Sequence, residues 1–466
     1  MPINNLHEFI SRLEAHNELA RISVSVDPVL EIAAITNQVC KQPSGGKALL
    51  FEQPRGSRFS VATNLFGSLQ RICRALGIDN LNELTDKTAA LLDQIPEPDL
   101  DSLDRRIAAL HDFSRFTPLI SSNVDPDLTG MNPPDLTVFP FLHSWPKDGS
   151  AEGHPRYITL PQVFTVDPDY GSPNCGMYRV QVRGPLELAI QWKSGSGAAR
   201  HLEAFRRRGE AMPVAIALGG DPAVTFSAMF PLPGSLDELT FAGFLRGSSI
   251  RMAACRTVPL SVPASVEVVI EGFIQPAEEV LEGPFGNHTG FYSPAGSATL
   301  LRVTAIHHRS EAVIPATLVG PPPMEDCWMA KAWERVLLAF LQRLVPGVAE
   351  LHFPLEWIFH QSAIISLDNP TPGMVRETAG LLWSTPWFGM ARLLVFIDAQ
   401  ADVADLSGVS WRAINLSEFN HDIFFDPGGK RMALDATGCC FPLQRIRGDA
   451  DMAVRVAQRW QEYGLD

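Results

Sequence analysis

The sequence predicts an α+β protein built from several domains. With 466 residues, the chain is too long for one small hydrophobic core. Strand and helix patterns alternate near both ends, whereas short strand patterns separated by Gly, Pro and Asp dominate the middle. We therefore expect an N-terminal α/β unit over residues 1–115, a central split β-barrel over 116–315 and a C-terminal α/β domain with a terminal helix over 316–466.

The composition is that of an ordinary globular protein. Hydrophobic residues make up 45% of the chain and charged residues 19%, which argues against a disordered or membrane-embedded protein. The net charge of −14 and the lack of a basic cluster argue against nucleic-acid binding. The first residues have an amphipathic helical pattern instead of the apolar core of a signal peptide, so we expect a cytoplasmic protein.

The seven cysteines predict neither a disulfide framework nor a zinc site. They are odd in number, scattered and without a CxxC pair. Cys439 and Cys440 are adjacent, and neighbouring cysteines bridge poorly. We therefore expect reduced thiols.

The N-terminal unit has the pattern of a strand followed by a helix. The strand pattern is ARISVSVDP, residues 20–28. Asp27 and Pro28 then suit the cap and first turn of a helix that continues through Val39. The runs ALLFEQ and FSVATNLF add short strands, and a polar segment from about 91 to 115 ends the unit.

The rest of the chain divides into a strand-rich part and a second alternating part. Runs such as YITLPQVFTVDP predict antiparallel strands, interrupted by helices at AARHLEAFRRRGE and SLDELTFAGFLRG. Beyond residue 325, helices alternate with the strands HQSAIISL and ARLLVFID, which predicts a largely parallel sheet. The final stretch AVRVAQRWQEYGLD predicts an amphipathic helix that either covers a partner subunit or packs Val456 and Trp460 on its own domain.

Two short motifs indicate chemistry only weakly. In NCGMYR, residues 174–179, Asn174 and Arg179 can line one site only if the strand bends near Gly176, because residues an odd number apart face opposite sides. Their alternative is a solvated or structural role. In ALGGDPA, residues 217–223, the glycines and a helix start suit a phosphate, but an ordinary strand-ending turn fits equally well.

The stretch LEGPFGNHTGFY, residues 281–292, sets Glu282 on a Gly-Pro turn. A glutamate held near an arginine can act as a general acid or base, because burial and positive charge move its pKa in opposite directions. A buried structural Glu–Arg ion pair explains the same residues equally well.

Together these motifs resemble one family, the UbiD-like decarboxylases that use prenylated FMN. The resemblance runs over nearly the whole chain. It rests on VDPVLEIAAIT, NCGMYR, ALGGDPA, LEGPFGNHTGFY, PPPMEDCWMAKAWER and MALDAT, in that order. It implies a flavin-binding-like central barrel.

The resemblance also implies roles for individual residues. Asn174 and Glu238 take the places of metal ligands, for Mn²⁺ or Mg²⁺, and the family also admits K⁺. Arg179 and Glu282 take the places of the catalytic pair. Arg392 stands where a lysine usually faces the cofactor phosphate, and it keeps the positive charge. Three further residues line the implied cofactor or substrate pocket: Met177, Tyr178 and Met229.

The sequence departs from the family pattern at several positions. Gly195 and Ser196 replace the metal histidine and its lysine neighbour, and His201 matches a second histidine that is not a ligand. Asn287 replaces the second acid of the catalytic group and cannot donate a carboxylic proton. The lysine that often follows the DAT motif is replaced within Gly-Cys-Cys, residues 438–440. Two oxygen ligands would hold a hard cation only weakly.

We therefore expect a carboxy-lyase that removes CO₂, without oxidation and reversibly, from an aromatic or α,β-unsaturated carboxylic acid. Arg179 would bind the substrate carboxylate, and Glu282 would handle the proton, alone or through a water held by Asn287. A flavin prenyltransferase would supply the cofactor, and the chain would form a homodimer or larger homo-oligomer. The alternative is a non-catalytic paralogue that serves as a partner subunit or binds an anion or nucleotide.

Overall fold

The computed structural model describes residues 3–96, 101–121, 125, 127–232, 236–439, 446 and 449–464. It confirms a mixed helix and sheet protein of several domains with a curled half-barrel sheet at its centre. The predicted domain limits at 115 and 315 stay a prediction. No helix in the described part of the chain is long and apolar enough to cross a lipid bilayer.

The N-terminal unit packs helices on a small sheet of order β1-β2-β3-β18, whose last strand comes from much later in the chain. Helix α1 buries the apolar side chains Leu6, Phe9, Ile10 and Leu13, as its spacing predicts. The elements are α1 Leu6–Ala15, β1 Leu19–Ile22, α2 Glu31–Cys40, β2 Ala48–Phe51, β3 Ser60–Thr63, α3 Leu69–Leu76, α4 Asn82–Leu92, α5 Leu103–Ala109 and α6 His111–Ser114.

The predicted start of the second helix is wrong. Helix α2 begins at Glu31 because Leu30 has a φ of 67°, outside the helical region. Asp27 instead closes a local turn, in which its Oδ1 accepts a hydrogen bond from the Val29 N–H at 2.8 Å. The carboxylate therefore competes with the helix for a backbone donor.

The central sheet curls along the order β6-β9-β10-β17-β14-β11-β7-β8, with β5 added to β17. A smaller sheet of order β13-β12-β4 lies beside it. The elements are β4 Leu119–Ser121, β5 Thr129–Gly130, β6 Tyr157–Ile158, β7 Pro161–Val166, β8 Pro173–Gly176, β9 Val180–Val182, β10 Glu187–Ile190, α7 Gly197–Arg208, β11 Met212–Leu218, α8 Pro222–Met229, α9 Glu238–Arg246, β12 Arg251–Ala254, β13 Ser261–Pro263, β14 Val268–Glu282, β15 Phe285–Gly286, β16 Tyr292–Ser293, β17 Gly296–His308 and β18 Val313–Ala316.

The pairing of β14 with β17 shifts register before it reaches the site. Ile274 pairs with Leu301 and Glu279 pairs with Thr299, so five steps along β14 match two along β17. The three additional residues on β14 form an extended bulge. After it, Glu282 pairs with Gly296 at the end of both strands.

The C-terminal domain has a sheet of order β19-β20-β21-β23-β22. Its inner pairs β20–β21 and β21–β23 are parallel, whereas both edge pairs are antiparallel, so the largely parallel prediction holds only for the inner strands. The elements are α10 Glu325–Leu344, β19 Val348–His352, β20 Ser362–Leu367, α11 Met374–Ser384, β21 Leu393–Asp398, α12 Leu406–Asn415, α13 Phe419–Asp422, β22 Ile423–Phe425, β23 Met432–Asp435 and α14 Ala450–Gln458.

The terminal helix α14 packs little against its own chain. None of its residues is buried, and Trp460, just beyond it, keeps 48% of its surface exposed. Val456 is partly buried and Trp460 is about half covered, so packing of this stretch on its own domain is partial. The cysteines are free in the described part of the chain, and Cys440 lies outside it.

Candidate active site

The candidate site is built around an ion pair between Arg179 and Glu282. Arg179 Nε lies 3.0 Å from Glu282 Oε1, and Arg179 Nη2 lies 2.8 Å from Glu282 Oε2. The glutamate side chain is only 1% exposed, whereas the arginine side chain keeps 21%. Two N–H groups therefore hold both carboxylate oxygens in a charge-assisted contact. The structure brings together the two residues that the sequence predicts as catalytic partners.

A break between two strands positions Arg179. Strand β8 ends at Gly176 and β9 begins at Val180, so Arg179 lies in the bend between them. Asn174 lies within β8 and is buried. In a regular strand, Asn174 and Arg179 would face opposite sides of the sheet. The bend interrupts this alternation, as is necessary for both side chains to line one site.

Three further side chains surround the ion pair. Gln191 Oε1 accepts a hydrogen bond from Arg179 Nη2, and the guanidinium carbon lies 5.1 Å from the centre of the Phe285 ring. Burial raises the pKa of Tyr157, and the Glu282 carboxylate raises it further through its charge and a hydrogen bond. Tyr157 therefore stays protonated and acts as a donor to Glu282.

One nitrogen of Arg179 is left for a ligand. Within the residues that the structure describes, Nη1 has no hydrogen-bond acceptor, while Nε and Nη2 are engaged by Glu282 and Gln191. The partial exposure of the arginine side chain leaves this nitrogen accessible. A guanidinium nitrogen with two free N–H groups suits an anionic group.

The loop after Glu282 holds Asn287 in a local turn. Asn287 Oδ1 accepts hydrogen bonds from Thr289 N at 2.8 Å and Thr289 Oγ1 at 2.6 Å. Asn287 Nδ2 donates to Ser293 Oγ at 2.7 Å. Both ends of the amide are thus engaged within the loop, and no hydrogen bond in the described part of the chain joins it to Glu282.

The two predicted metal ligands lie beside strand β8: Asn174 belongs to the strand, and Glu238 contacts the next residue along it. Glu238 is the first residue of α9, and its Oε2 accepts the N–H of Cys175 at 3.1 Å. A β-carbon on Gly197 would lie 2.0 Å from Asn174 Oδ1, so only glycine lets α7 begin so close to the asparagine. Burial raises the pKa of Glu238 to about 7. Asn174 and Glu238 thus lie at neighbouring positions along β8, and their contacts differ from those of the ion pair.

This place fits an anion or a weakly held cation better than a transition metal. Asn174 Nδ2 is buried without an acceptor of ordinary geometry among the described residues, so it can donate to an acceptor such as a phosphate oxygen. The Tyr178 hydroxyl shares this place: burial raises its pKa, whereas hydrogen bonds with the Ser196 and Asn174 side chains lower it. No three His, Cys, Asp or Glu side chains in the described ranges lie close enough together to hold a metal ion. His201 is hydrogen-bonded to Thr165, with its Nδ1 2.9 Å from the hydroxyl oxygen.

The predicted pocket residues lie around the end of helix α8. The Met177 N–H donates to the Ala228 carbonyl at 2.9 Å, which places Met177 beside Met229 at the helix terminus. Tyr178 is buried, and its ring lies 5.0 Å from the Trp192 ring in a T-shaped contact. Met177 and Met229 thus lie together at the end of α8, whereas the Tyr178 ring packs on Trp192.

Arg392 lies in the C-terminal domain, on an exposed stretch just before β21. Its N–H donates to the Gln361 carbonyl at 2.7 Å. The neighbouring His360 reaches the central domain, where its Nε2 lies 3.2 Å from His288 Nε2. This contact brings the segment of Arg392 near the loop after Glu282, but no contact among the described residues joins the Arg392 side chain to Arg179.

Three residues at the site were not predicted from the sequence. Tyr157, Gln191 and Asp148 come from strand and loop segments that are distant in sequence from Glu282. Asp148 Oδ1 accepts the N–H of Gly286 at 2.8 Å and so contacts the turn that carries Glu282. A polar Asp in PKDGS has the local pattern of an exposed turn, so no sequence signal separates it from a surface residue.

Comparison with known proteins gives matches along most of the chain. Family models of 3-octaprenyl-4-hydroxybenzoate carboxy-lyase match its N-terminal domain at residues 10–91, its Rift-related domain at 122–322 and its C-terminal domain at 327–439. An uncharacterized protein of Archaeoglobus fulgidus is 34% identical over 473 aligned residues, covering 100% of this chain and 94% of the relative.

Solved structures of the same class have the same fold. A dimeric, evolved form of the UbiD-class enzyme HmfF from Pelotomaculum thermopropionicum, in complex with prFMN, is 25% identical with a TM-score of 0.81, covering 97% of this chain and 99% of that chain. Vanillic acid decarboxylase of Sedimentibacter hydroxybenzoicus in its closed form is 24% identical with a TM-score of 0.83, covering 100% of both chains.

Proposed function

The chain belongs to the UbiD family of carboxy-lyases, and on that premise we propose that it is a decarboxylase of an aromatic or α,β-unsaturated carboxylic acid. The reaction is non-oxidative and reversible, and its cofactor is prenylated FMN. The Arg179–Glu282 pair carries the proposal, because a buried carboxylate held by a partly exposed guanidinium can take up and return a proton beside a bound anion.

The substrate carboxylate binds Arg179 at one nitrogen. A planar guanidinium can make two hydrogen bonds to one carboxylate. In this structure, however, Glu282 already engages Nε and Nη2 of Arg179. The two free N–H groups of Nη1 are the ones available to the substrate. Arg179 then lies between the substrate and Glu282 and contacts both carboxylates with its positive charge.

Prenylated FMN supplies the site that accepts the electron density left when CO₂ departs from an unsaturated carbon. Asn174 and the beginning of α7 hold its phosphate, together with Mg²⁺ or Mn²⁺ bound to Asn174 and Glu238 where such an ion is present. A potassium ion is a further candidate. Met177, Tyr178 and Met229 pack against the cofactor, and Arg392 provides positive charge from the C-terminal domain.

The proposed partners follow from the same assignment. A flavin prenyltransferase supplies the cofactor, and the protein works in the cytoplasm as a homodimer or larger homo-oligomer. Asn287 as a holder of a catalytic water stays a prediction, which is tested below.

The test is production of the protein together with a flavin prenyltransferase. We expect the purified protein to carry flavin absorbance and, by mass spectrometry, prenylated FMN. A panel of aromatic and α,β-unsaturated acids is then screened for CO₂ release and for deuterium exchange at the carbon that loses CO₂. Glu282→Gln serves as the inactive control, since it removes the titratable proton and keeps the side-chain size.

A colourless protein that releases no CO₂ from any acid would contradict the proposal. That result would favour the non-catalytic alternative, a partner subunit or an anion-binding paralogue. A protein that retains the cofactor but whose Glu282→Gln variant is equally active would refute the role of the ion pair alone.

A further inference from the structure

A buried carboxyl group outside the predicted site contacts the turn that carries Glu282. Asp148 is 2% exposed. Its Oδ1 accepts the Gly286 N–H at 2.8 Å, and its Oδ2 accepts the Trp145 N–H at 2.9 Å. A carboxylate with two backbone donors inside the protein is a fixed group with no freedom to turn into solvent.

The segment around Asp148 runs along this turn and is bonded to it repeatedly. The Gly149 N–H donates to the Pro284 carbonyl at 2.8 Å, and the Ala151 N–H donates to the Gly283 carbonyl at 3.4 Å. Together with the Asp148 contact, these bonds engage residues 283, 284 and 286, which directly follow Glu282. Residues 148–151 therefore hold the turn in place from one side.

Asp148 and Glu282 also act on each other through charge. The pKa of Asp148 is raised to about 6. Burial is the main cause and the charge on Glu282 adds to it, while the hydrogen bonds from backbone N–H groups act in the opposite direction. The Tyr157 hydroxyl responds to both carboxylates and to Arg179. The two acids thus form one electrostatic group, in which Tyr157 and Arg179 are the other titratable or charged members.

Further groups near this segment do not replace Asp148. The Tyr292 hydroxyl accepts the N–H of Lys147 at 3.1 Å, and His143 Nε2 lies 2.9 Å from the Trp145 carbonyl oxygen. Asn287 is the residue where the family pattern places an acid, but its amide is engaged by its own loop. Asp148 is therefore the second carboxyl group at this turn.

We propose that Asp148 is a positioning residue for the proposed decarboxylation: it fixes the Glu282 turn through the Gly286 N–H, and its negative charge offsets the pull of Arg179 on the Glu282 carboxylate. The inference rests on the proposed function, which assigns Glu282 the proton. Protonation of Asp148 weakens its bond to the turn and removes the charge, so the site changes as the pH falls through about 6.

The first measurement needs neither cofactor nor substrate. Hydrogen exchange of the Gly286 amide is followed in the apoprotein by mass spectrometry of peptides from this loop. In Asp148→Ala the amide loses its acceptor, and we expect exchange to quicken by about tenfold or more. Asp148→Asn keeps an oxygen acceptor and should quicken exchange less. Glu152→Gln, which removes the charge of a side chain that is 41% exposed in the same segment and leaves the Asp148 contact in place, should leave the exchange unchanged.

The second measurement is the pH profile of kcat/KM in the enzyme loaded with cofactor. We expect the wild type and Glu152→Gln to show a transition near pH 6, which Asp148→Asn lacks. Unchanged Gly286 exchange in Asp148→Ala would overturn the inference. The inference would also be overturned if both Asp148 variants lost activity but kept the wild-type pH profile, because that result would show a purely structural role for Asp148. If no form of the protein has activity, the proposed function fails. The exchange measurement still shows whether Asp148 holds the Gly286 N–H.

Discussion

Arg179 and Glu282 are 103 positions apart in the chain, yet two nitrogens of the guanidinium hold both oxygens of the carboxylate. The carboxylate is almost completely buried, so this pair depends on both members. Removing one member of a buried ion pair leaves an uncompensated charge.

We expect Glu282→Gln to lower turnover by about a hundredfold or more, because the amide cannot exchange a proton with the substrate. Turnover is measured as CO₂ release at saturating substrate, with cofactor content determined for each variant. Glu279→Gln is the matched control. It lies on the same strand in an exposed pair with Arg206 and should retain activity within about twofold. Equal losses in both variants would contradict the assignment.

Gly195→His should increase manganese retention, since it restores an imidazole two residues before Gly197, which lies against Asn174. Gly195 has a φ of 77°, so any side chain there costs about 1 kcal/mol of stability. Gly195→Ala has the same strain without the ligand and is therefore the control. Ser196 is left unchanged, because its Oγ accepts the Ala199 N–H at 3.3 Å and caps α7.

Metal content after dialysis, measured by elemental analysis, decides this prediction. A rise in Gly195→His alone supports Asn174 and Glu238 as ligands. Equal metal content in the His and Ala variants would show that the two oxygen ligands are not part of a cation site.

The hydrogen bonds of Asn287 change the expected effect of Asn287→Asp. The sequence predicts that a restored acid raises turnover. The carboxylate, however, would keep the bonds from Thr289 that hold the amide in its turn. We therefore expect kcat to change by less than about threefold. A rise of about tenfold would show that the loop turns toward the substrate and that position 287 works as an acid.

The contact between His288 and His360 should weaken in acid. Burial lowers the pKa of His288, and it lowers that of His360 to about 3. Both rings are therefore neutral in the folded protein but take up protons in the unfolded chain below its ordinary pKa of 6.5. The stability from this contact is fully present above that pH and falls as the pH drops toward 3.

At pH 5, the loss from His360 is on the order of 1–2 kcal/mol. Thermal unfolding from pH 7 to 5 measures it. His360→Gln should lose less stability over this range than the wild type, whereas exposed His111→Gln should behave like the wild type. If His360→Gln and the wild type lose the same stability between pH 7 and 5, the contact between His288 and His360 does not cause the loss.

Helix α14 should mediate the association of subunits. Apolar side chains of α14 and of the turn after it are exposed in the monomer, among them Val454 at 58% and Trp460 at 48%. An exposed amphipathic face of this kind gains stability when a second copy covers it. We expect Trp460→Glu to shift a dimer toward monomer in light scattering, and Tyr170→Glu, at an exposed residue in the turn between β7 and β8, to leave the mass unchanged. A Trp460→Glu protein of unchanged mass would argue against this interface.

Most of the architecture could be predicted from periodicity, because helix and strand spacing reflect burial directly. Helix α1 and the inner strands of the C-terminal sheet follow their patterns. The start of α2 could not be predicted, since it depends on the backbone of Leu30 and on the turn closed by Asp27. Asp27 and Pro28 have the residue types of a helix start, but the backbone conformation of Leu30 cannot be inferred from residue types alone.

The site was predictable where a motif marks it. Arg179 and Glu282 each lie in a distinctive motif, and their contact follows from the fold. Asp148 and Tyr157 lie in ordinary turn and strand sequences, and their effect comes from burial beside Glu282. Such residues are recognised only by their surroundings, because the residue type alone is compatible with an exposed position.

The bulge in β14 limits the insertions and deletions that this strand tolerates. Its three additional residues are odd in number, so Glu282 lies on the sheet face opposite to Ile274, although an uninterrupted strand would place both on one face. Deleting one residue between Ile274 and Glu279 would turn Glu282 away from Arg179, whereas deleting two would restore its direction. This short stretch, which contributes no catalytic group, therefore accepts length changes only in pairs.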